Sequence, residues 1–194
     1  MTASQTLPEG YRPCVGIALF NARGSVFFAH RAGYAAGEGW QLPQGGVDPG
    51  EAALDAALRE LREETSVSSV RLMAEAPVWL SYDLPTSALR DSWKGRYRGQ
   101  SQKWFAFRFE GTDAEIDILT PAGGHKPEFD TWRWGALAEA PDLIVPFKRP
   151  VYAEMAAMFA GFAERPPSIV PESVPSPRQD GMPGCGKKTR SMNT

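Results

Sequence analysis

The sequence is poor in the residues that build thiolate metal sites, disulfide frameworks and nucleophilic triads. Its 194 residues contain two cysteines, Cys14 and Cys185, and two histidines, His30 and His125. The cysteines lie far apart and belong to no Cys-x-x-Cys pair, which argues against a zinc ribbon and a disulfide scaffold. Neither histidine stands in a motif with a serine or cysteine, as a catalytic triad requires. We therefore expect both histidines to be structural or solvent-exposed, and the protein to be reduced and cytoplasmic.

Long apolar runs and an excess of basic charge are also missing. No apolar stretch approaches the roughly 18 residues of a membrane span, and residues 1–13 lack the basic start and apolar core of a signal peptide. The formal net charge is −2, so no overall basic field indicates nucleic-acid binding. The composition is typical of a globular domain, and it identifies no membrane contact and no stable protein partner.

Composition divides the chain near residue 164. Residues 1–164 suffice for one domain with a full core. Residues 165–194 contain six prolines, almost no large apolar side chains, and five basic residues against two acidic ones. Such a segment cannot bury enough apolar surface to fold. We predict one domain over residues 1–164, followed by a disordered, proline-rich and basic tail.

Hydrophobic patterns within the first 164 residues predict an α/β (α+β) domain. The predicted strands are 14–21, 24–31, 40–43, 70–84 (one or two strands, interrupted at Pro77), 101–111 and 129–135. Helices are predicted over 51–65 and over 149–164, where Pro150 falls in the first turn.

Three glutamates share one side of the helix predicted over 51–65. At about 100° per residue, Glu63 lies roughly 60° to one side of Glu60, and Glu64 lies roughly 40° to the other. These carboxylates border the predicted buried stripe, which consists of Leu54, Ala57, Leu58 and Leu61. Like charges held so close favour uptake of protons unless a cation lies among them. A hard divalent ion such as Mg²⁺ or Mn²⁺ prefers these oxygen ligands.

A solvated acidic face is the ordinary alternative, because Arg59 and Glu63 can form an i,i+4 ion pair. The loop ahead of the helix favours the metal site instead. Its sequence PQGGVDPGE (43–51) is rich in glycine, which permits close backbone approach. It also leads into a helix N-terminus, where anions bind. A glycine loop, a helix and clustered carboxylates in this order can hold phosphate and metal together.

Residues 45–67 resemble the Nudix box. That family pattern places a glycine, a glutamate, an Arg-Glu pair, two consecutive glutamates and a final glycine-apolar pair at fixed spacing. The matching residues are Gly45, Glu51, Arg59, Glu60, Leu61, Glu63, Glu64 and Val67. Ser66 departs from the pattern, because the family has glycine there. Glycine easily adopts the left-handed conformation of a helix exit, so we expect serine to introduce about 1 kcal/mol of strain.

The resemblance implies a Nudix fold, a mixed β-sheet sandwiched between α-helices. It also implies a metal-dependent hydrolase of a nucleoside diphosphate linked to another group. The metal, Mg²⁺ or Mn²⁺, would be bound by the three glutamates Glu60, Glu63 and Glu64 and by the Gly45 carbonyl. An ion pair between Glu51 and Arg59 would join the loop to the helix.

Blocks outside the box resemble the bacterial RNA pyrophosphohydrolase subgroup, which overlaps the diadenosine polyphosphate hydrolases. These blocks are residues 10–21, 40–51, 99–109, 127–134 and 145–152. The resemblance implies that Glu128 reaches the metal cluster as a fourth carboxylate, and which of the four is the general base stays open. It further implies that the substrate is held by Arg31, Gln44, Gln100, Lys103, Phe147 and Lys148. Gln102 is also expected to face phosphate.

Three functions are compatible with these patterns. The first is an RNA 5′-pyrophosphohydrolase, which turns a 5′-triphosphate end into a monophosphate. The second is asymmetric cleavage of diadenosine tetraphosphate, and the sequence leaves these two open because both substrates present an adenosine with a polyphosphate chain. The third is a Nudix nucleotide-binding module without catalysis. Loss of box glutamates would indicate the third, whereas this chain retains all of them.

Overall fold

The structure, a computed structural model, describes residues 2–35, 37–85 and 96–163. Its strands are β1 (Thr2–Ser4), β2 (Tyr11–Phe20), β3 (Val26–Arg31), β4 (Trp40–Gln41), β5 (Gln44–Gly46), β6 (Val70–Asp83), β7 (Gly99–Phe109) and β8 (Phe129–Gly135). Its helices are α1 (Ala53–Thr65), α2 (Ala140–Leu143) and α3 (Arg149–Phe159), with 3-10 turns at Asp113–Glu115, Leu137–Glu139, Pro146–Lys148 and Ala160–Phe162. The predicted tail, 165–194, lies outside the described residues, so its disorder and the boundary near 164 stay predictions.

The strands form one mixed sheet in the order β1-β6-β7-β2-β3-β4, with β5 paired to β2 and β8 paired to β3. The central strands β2 and β7 run parallel, in register from Tyr11 opposite Gly99 to Phe20 opposite Arg108. The other pairs are antiparallel. Strand β2 pairs with β3, β5 and β7 and is almost wholly buried. It therefore lies at the centre of the sheet, and the neighbouring loops extend from it.

Helices cover both faces of the sheet, as the predicted sandwich requires. One face packs on α1 through Ala56, Ala57 and Leu61. The opposite face packs on α3 through Tyr152, Met155 and Phe159. Side chains alternate between these two layers along β2 and β7, which is the two-residue period of a strand buried on both sides. No helix in the described ranges is long and apolar enough to span a membrane.

Two local predictions need correction, and one open alternative is decided. Leu58 was expected in the buried stripe of α1 but is 39% exposed, and Ala56 is fully buried in its place. The cause is the docking direction of α1, which the apolar pattern alone does not define. The segment predicted as one or two strands interrupted at Pro77 is one strand, β6 (Val70–Asp83). Pro77 falls where its register against β7 shifts, as proline lacks the N–H for a ladder bond. The closing helix α3 ends at Phe159 and continues only as a 3-10 turn.

Candidate active site

Helix α1 carries three of the glutamates, Glu60, Glu63 and Glu64, and it is capped at its C-terminal end by Ser66. Ser66 has a φ of 64°, and it is the only non-glycine residue with a positive φ in the described part of the chain. Its Oγ accepts a hydrogen bond from the backbone N–H of Ala122 at 3.0 Å. The left-handed helix exit expected for the glycine position is therefore present, and the hydroxyl bond offsets part of the strain that serine meets there.

Arg59 joins the glycine loop to the helix. Its Nε and Nη2 donate to the two carboxylate oxygens of Glu51 at 2.8 and 2.9 Å. Nη2 also donates to the carbonyl of Gly46 at 2.8 Å. These hydrogen bonds from Arg59 lower the pKa of Glu51 to about 2. The pair that the box resemblance implies is thus a bidentate clamp that ties residues 46–51 to α1.

Glu60 packs directly against Gly45. A Cβ built on Gly45 would lie 1.8 Å from Cδ of Glu60 and 2.0 Å from one of its oxygens. Any side chain at position 45 would therefore displace the carboxyl group. Arg59 Nη1 donates to Glu60 Oε1 at 2.9 Å. Even so, burial raises the pKa of Glu60, and the negative charges of Glu63 and Glu128 raise it further.

Glu64 lies within the buried face of α1 and not merely beside it. Its side chain is 7% exposed, and one of its oxygens accepts a hydrogen bond from the backbone N–H of Gln44 at 3.1 Å. Burial raises the pKa of Glu64 well above its usual range, and the charge of Glu128 adds to that effect. This carboxyl group is therefore held in a place where its charged form needs a nearby cation.

Glu63 and Glu128 complete an acidic cluster, defined as Glu60, Glu63, Glu64 and Glu128. Glu63 accepts a hydrogen bond from Arg59 Nη1 at 3.3 Å, and its other oxygen lies 3.7 Å from Nε2 of His125. Glu128 is half exposed and lies 3.7 Å from Nη1 of Arg31. Its charge raises the pKa of both Glu60 and Glu64, which places all four carboxyl groups in one electrostatic neighbourhood.

The acidic cluster suits a hard divalent cation in its chemistry. All of its donors are oxygens, two of its carboxyl groups have raised pKa values, and Gly45 leaves its carbonyl beside the Glu60 carboxyl. Within the ranges 2–35, 37–85 and 96–163, however, no three His, Cys, Asp or Glu side chains are arranged to hold a metal ion. Arg59 bonds to both Glu60 and Glu63 instead. Metal binding would therefore require these side chains to turn toward one another.

A cavity of about 270 Å³, here called the Phe147 cavity, opens at the turn before α3. Four of the predicted substrate residues lie together in its wall, namely Arg31, Gln100, Phe147 and Lys148. The ring of Phe147 lies 5.7 Å from the ring of Tyr82, centroid to centroid. The hydroxyl of Tyr82 donates to Oε1 of Gln100. A flat aromatic wall beside an arginine is an arrangement that can hold a nucleobase by stacking.

Lys148 brings a buried cation to the Phe147 cavity. Its side chain is 8% exposed, and Nζ lies 5.4 Å from the centre of the Tyr82 ring. Nζ also donates to Oε1 of Gln44 at 3.2 Å. Burial lowers the pKa of Lys148 to about 8. The ammonium group is thus charged at neutral pH but poorly solvated, and an anionic or acceptor group of a ligand would bind it strongly.

Gln44 connects the Phe147 cavity with the acidic cluster. Its side-chain oxygen accepts from Lys148, while its backbone N–H donates to Glu64. Gln44 belongs to the glycine loop (43–51) that precedes α1, so one loop residue makes both contacts. Gln44 therefore lies between a residue of the Phe147 cavity wall, Lys148, and a residue of the acidic cluster, Glu64.

Lys103 and Gln102 are placed differently from the other predicted substrate residues. Lys103 does not line the Phe147 cavity; its Nζ lies 3.0 Å from Oε1 of Glu75, and its side chain is largely buried. Gln102 is fully buried and donates to Gln44 at 2.8 Å. The expectation that Gln102 faces phosphate is therefore wrong, because the register of β7 against β2 turns this side chain into the protein.

Two further residues of the site are not identified by the sequence patterns. Tyr82 lines the Phe147 cavity, where the pairing of β6 with β7 sets it opposite Gln100. His125 was expected to be structural or exposed; its side chain is half exposed and borders Glu63. His30 is buried, and the hydrogen bond that its Nδ1 donates to Asp130 raises its pKa.

Comparisons with known proteins identify the family of the chain. The model of the NUDIX domain matches residues 10–155. A protein called RNA pyrophosphohydrolase from Bradyrhizobium sp. (strain ORS 278) is 58% identical over 168 residues, which cover 84% of this chain and 99% of that protein. A protein of the same name from Azorhizobium caulinodans is 54% identical over 168 residues, again 84% of this chain and 99% of that protein.

Solved structures show the same fold at low identity. A C. elegans Ap4A hydrolase in a binary complex has a TM-score of 0.54 at 20% identity, and covers 77% of this chain and 98% of its own. The E. coli dihydroneopterin triphosphate pyrophosphohydrolase has a TM-score of 0.54 at 17% identity, and covers 77% of this chain and 99% of its own. With the box on α1 and this sheet topology, the chain belongs to the Nudix family.

Proposed function

We propose that this protein hydrolyses a phosphoanhydride bond at the 5′ end of triphosphorylated RNA and leaves a 5′-monophosphate. The observation that carries the proposal is the 58% identity with an RNA pyrophosphohydrolase over 99% of that relative's length. Identity at this level extends well beyond the box, which Nudix enzymes with many substrates share. The complete set of box glutamates supports a hydrolase over a non-catalytic binding module.

Nudix hydrolases generally use divalent metals. In this chain Mg²⁺ or Mn²⁺ would be held by Glu60, Glu63, Glu64 and the Gly45 carbonyl, with Glu128 in the same electrostatic neighbourhood. When bound, such an ion supplies positive charge against the phosphate oxygens and lowers the pKa of a coordinated water. The same four carboxylates include the general base that takes the second proton of the attacking water.

The Phe147 cavity would hold the 5′-terminal part of the RNA. The ring of Phe147 and the guanidinium of Arg31 offer two flat surfaces for a base, and Lys148 offers a cation at its edge. Gln44 would contact the chain of phosphates between this base and the acidic cluster. These residues bind and orient the substrate, so their loss should raise KM more than it lowers kcat.

Diadenosine tetraphosphate remains the alternative substrate, because its adenosine fits the same stacking surfaces and its phosphates reach the same carboxylates. The two substrates are separated by one paired assay. Triphosphorylated RNA and diadenosine tetraphosphate are incubated with the protein in Mg²⁺ and in Mn²⁺, and kcat/KM is compared. We expect the RNA to be the better substrate in at least one metal. A higher kcat/KM for diadenosine tetraphosphate in both metals would make it the preferred substrate in place of RNA. If neither substrate were turned over, the protein would be a nucleotide-binding module without catalysis.

A further inference from the structure

Gln102 is a fully buried side chain with an unpaired polar atom. It has no exposed surface, and its Oε1 has no hydrogen-bond partner among the described residues. An unpaired buried acceptor destabilises the fold, so an apolar side chain of the same length would stabilise the fold more. The other amide atom, Nε2, donates to Oε1 of Gln44 at 2.8 Å. Among the described residues, the contact with Gln44 is therefore the one that accounts for an amide at position 102.

Lys148 determines the direction in which the Gln44 amide faces. A lysine ammonium carries donors only, so the Gln44 atom that lies 3.2 Å from its Nζ must be the oxygen. Gln102 must then present its NH2 group to that same oxygen. Side-chain amide oxygen and nitrogen atoms are hard to distinguish by shape, but this row of three side chains permits one orientation only.

The NH2 group of Gln44 consequently points away from the two groups that donate to its oxygen, Nζ of Lys148 and Nε2 of Gln102. Its Nε2 has no acceptor in the described part of the chain. The backbone N–H of the same residue donates to Glu64 of the acidic cluster. Gln44 thus lies between Lys148, in the wall of the Phe147 cavity, and Glu64 of the acidic cluster, and phosphate oxygens are acceptors that an amide NH2 group can bind.

We propose that Gln102 is a positioning residue, which holds the Gln44 amide so that its NH2 group donates to a non-bridging phosphate oxygen of the substrate. This inference rests on the proposed function and adds to it a neutral donor that recognises phosphate. With Gln102 removed, the Gln44 oxygen keeps only the bond from Lys148, and the amide is free to rotate its NH2 group away from the substrate.

A double-mutant cycle tests whether Gln102 acts through Gln44. Gln44→Met, Gln102→Met and the double variant are compared with the wild type for their affinity for inorganic triphosphate, by calorimetry in a buffer with Mg²⁺. We expect Gln102→Met to weaken binding about tenfold in the wild-type background, the effect of one lost hydrogen bond to a charged group. In the Gln44→Met background we expect it to change binding less than about twofold. Side-chain amide signals of Gln44 should shift with triphosphate in the wild type and not in Gln102→Met.

Ser101→Ala is the matched control. Ser101 neighbours Gln102 on β7, is equally buried, and bonds to the hydroxyl of Ser81 at 2.8 Å. Its loss should lower Tm and leave triphosphate affinity unchanged. Gln102→Leu repeats the cycle with a second apolar side chain, in case one variant folds poorly. The inference would be overturned if Gln102→Met weakened triphosphate binding equally in both backgrounds. It would also be overturned if the side-chain amide signals of Gln44 did not shift with triphosphate in the wild type. Because the readout is binding, failure to hydrolyse RNA would overturn only the proposed function.

Discussion

The carboxyl group of Glu60 lies against the α-carbon of Gly45, so closely that a Cβ there would sit 1.8 Å from Cδ of Glu60. The absence of a side chain at Gly45 in the loop thus leaves room for the Glu60 carboxyl group on the helix. Because β5 carries Gly45 and pairs with the buried strand β2, the loop cannot move aside to admit a larger residue. This relationship leads to the first prediction.

Gly45→Ala should reduce kcat/KM by at least about 100-fold, because a carboxyl group displaced by about 1 Å no longer fits its role in catalysis. The overpacking should also destabilise the fold by about 1–3 kcal/mol. Turnover and urea unfolding are the measurements. Gly161→Ala is the control, since a Cβ at position 161 meets nothing within 4 Å; it should behave as the wild type. An active Gly45→Ala protein would contradict the described packing.

Glu60→Gln should remove most of the activity, about 100-fold or more, while the protein still folds. The amide keeps the size of the carboxyl group and loses its charge, and the raised pKa of Glu60 indicates that this charge is unfavourable in the metal-free fold. Turnover and Tm are compared with those of Glu154→Gln, which changes an exposed residue of α3. If Glu60→Gln abolished folding, the role of this carboxylate would be architectural.

Glu51→Gln should destabilise the protein by about 2 kcal/mol at pH 7, because it breaks the clamp with Arg59. The folded pKa of Glu51 is lowered from 4.5 to about 2. Its contribution is therefore fully present above pH 4.5 and is lost as pH falls toward 2. Urea unfolding from pH 7 down to pH 3 should show the wild type and the variant converging. Glu110→Gln breaks an exposed ion pair with Arg71 and should change stability by less than about 0.5 kcal/mol.

Ser66→Gly and Ser66→Ala should differ in stability by about 1 kcal/mol, with glycine the more stable. Both lose the hydroxyl that accepts the N–H of Ala122, but only glycine relieves the positive φ of 64°. Ser66→Ala should therefore fall about 1 kcal/mol below the wild type, and Ser66→Gly should remain near it. Urea unfolding of the wild type, Ser66→Gly and Ser66→Ala gives the order of their stabilities directly. Equal stability of the two variants would show that the helix exit is unstrained.

Lys148→Met should stabilise the protein at pH 7 and weaken substrate binding. Burial lowers the pKa of Lys148 from 10.5 to about 8. The cost of burying its charge is thus full below pH 8 and disappears as pH rises toward 10.5. The gain in Tm should therefore be largest near pH 7 and should shrink at higher pH, while KM rises. Arg71→Met, at an exposed position, should show neither effect. A loss of Tm at pH 7 would mean that the bond from Lys148 to Gln44 outweighs the cost of burial.

Much of the fold was predictable because strand and helix patterns are local. The strands β2, β3, β7 and β8 and the helices α1 and α3 all lie where hydrophobic periodicity predicts them. The sandwich of a mixed sheet between helices, implied by the Nudix resemblance, is confirmed as well. The predictions were wrong where they depended on which face of a helix docks on the sheet. Leu58 is exposed and Glu64 is buried, because the docking of α1 on the sheet selects a face that the apolar pattern only approximates.

The sequence by itself determined that Glu60, Glu63 and Glu64 share one side of α1, and its resemblance to the Nudix box implied the Glu51–Arg59 ion pair and the left-handed exit at position 66. These depend on residue spacing along one helix and its adjoining turns, which helical geometry converts directly into position. Only the tertiary structure decided that Gln44 meets Lys148, 104 residues away, that Tyr82 walls the Phe147 cavity, and that Gln102 turns inward. Such contacts depend on strand register and helix docking, since no local pattern encodes the distance between residues on separate elements.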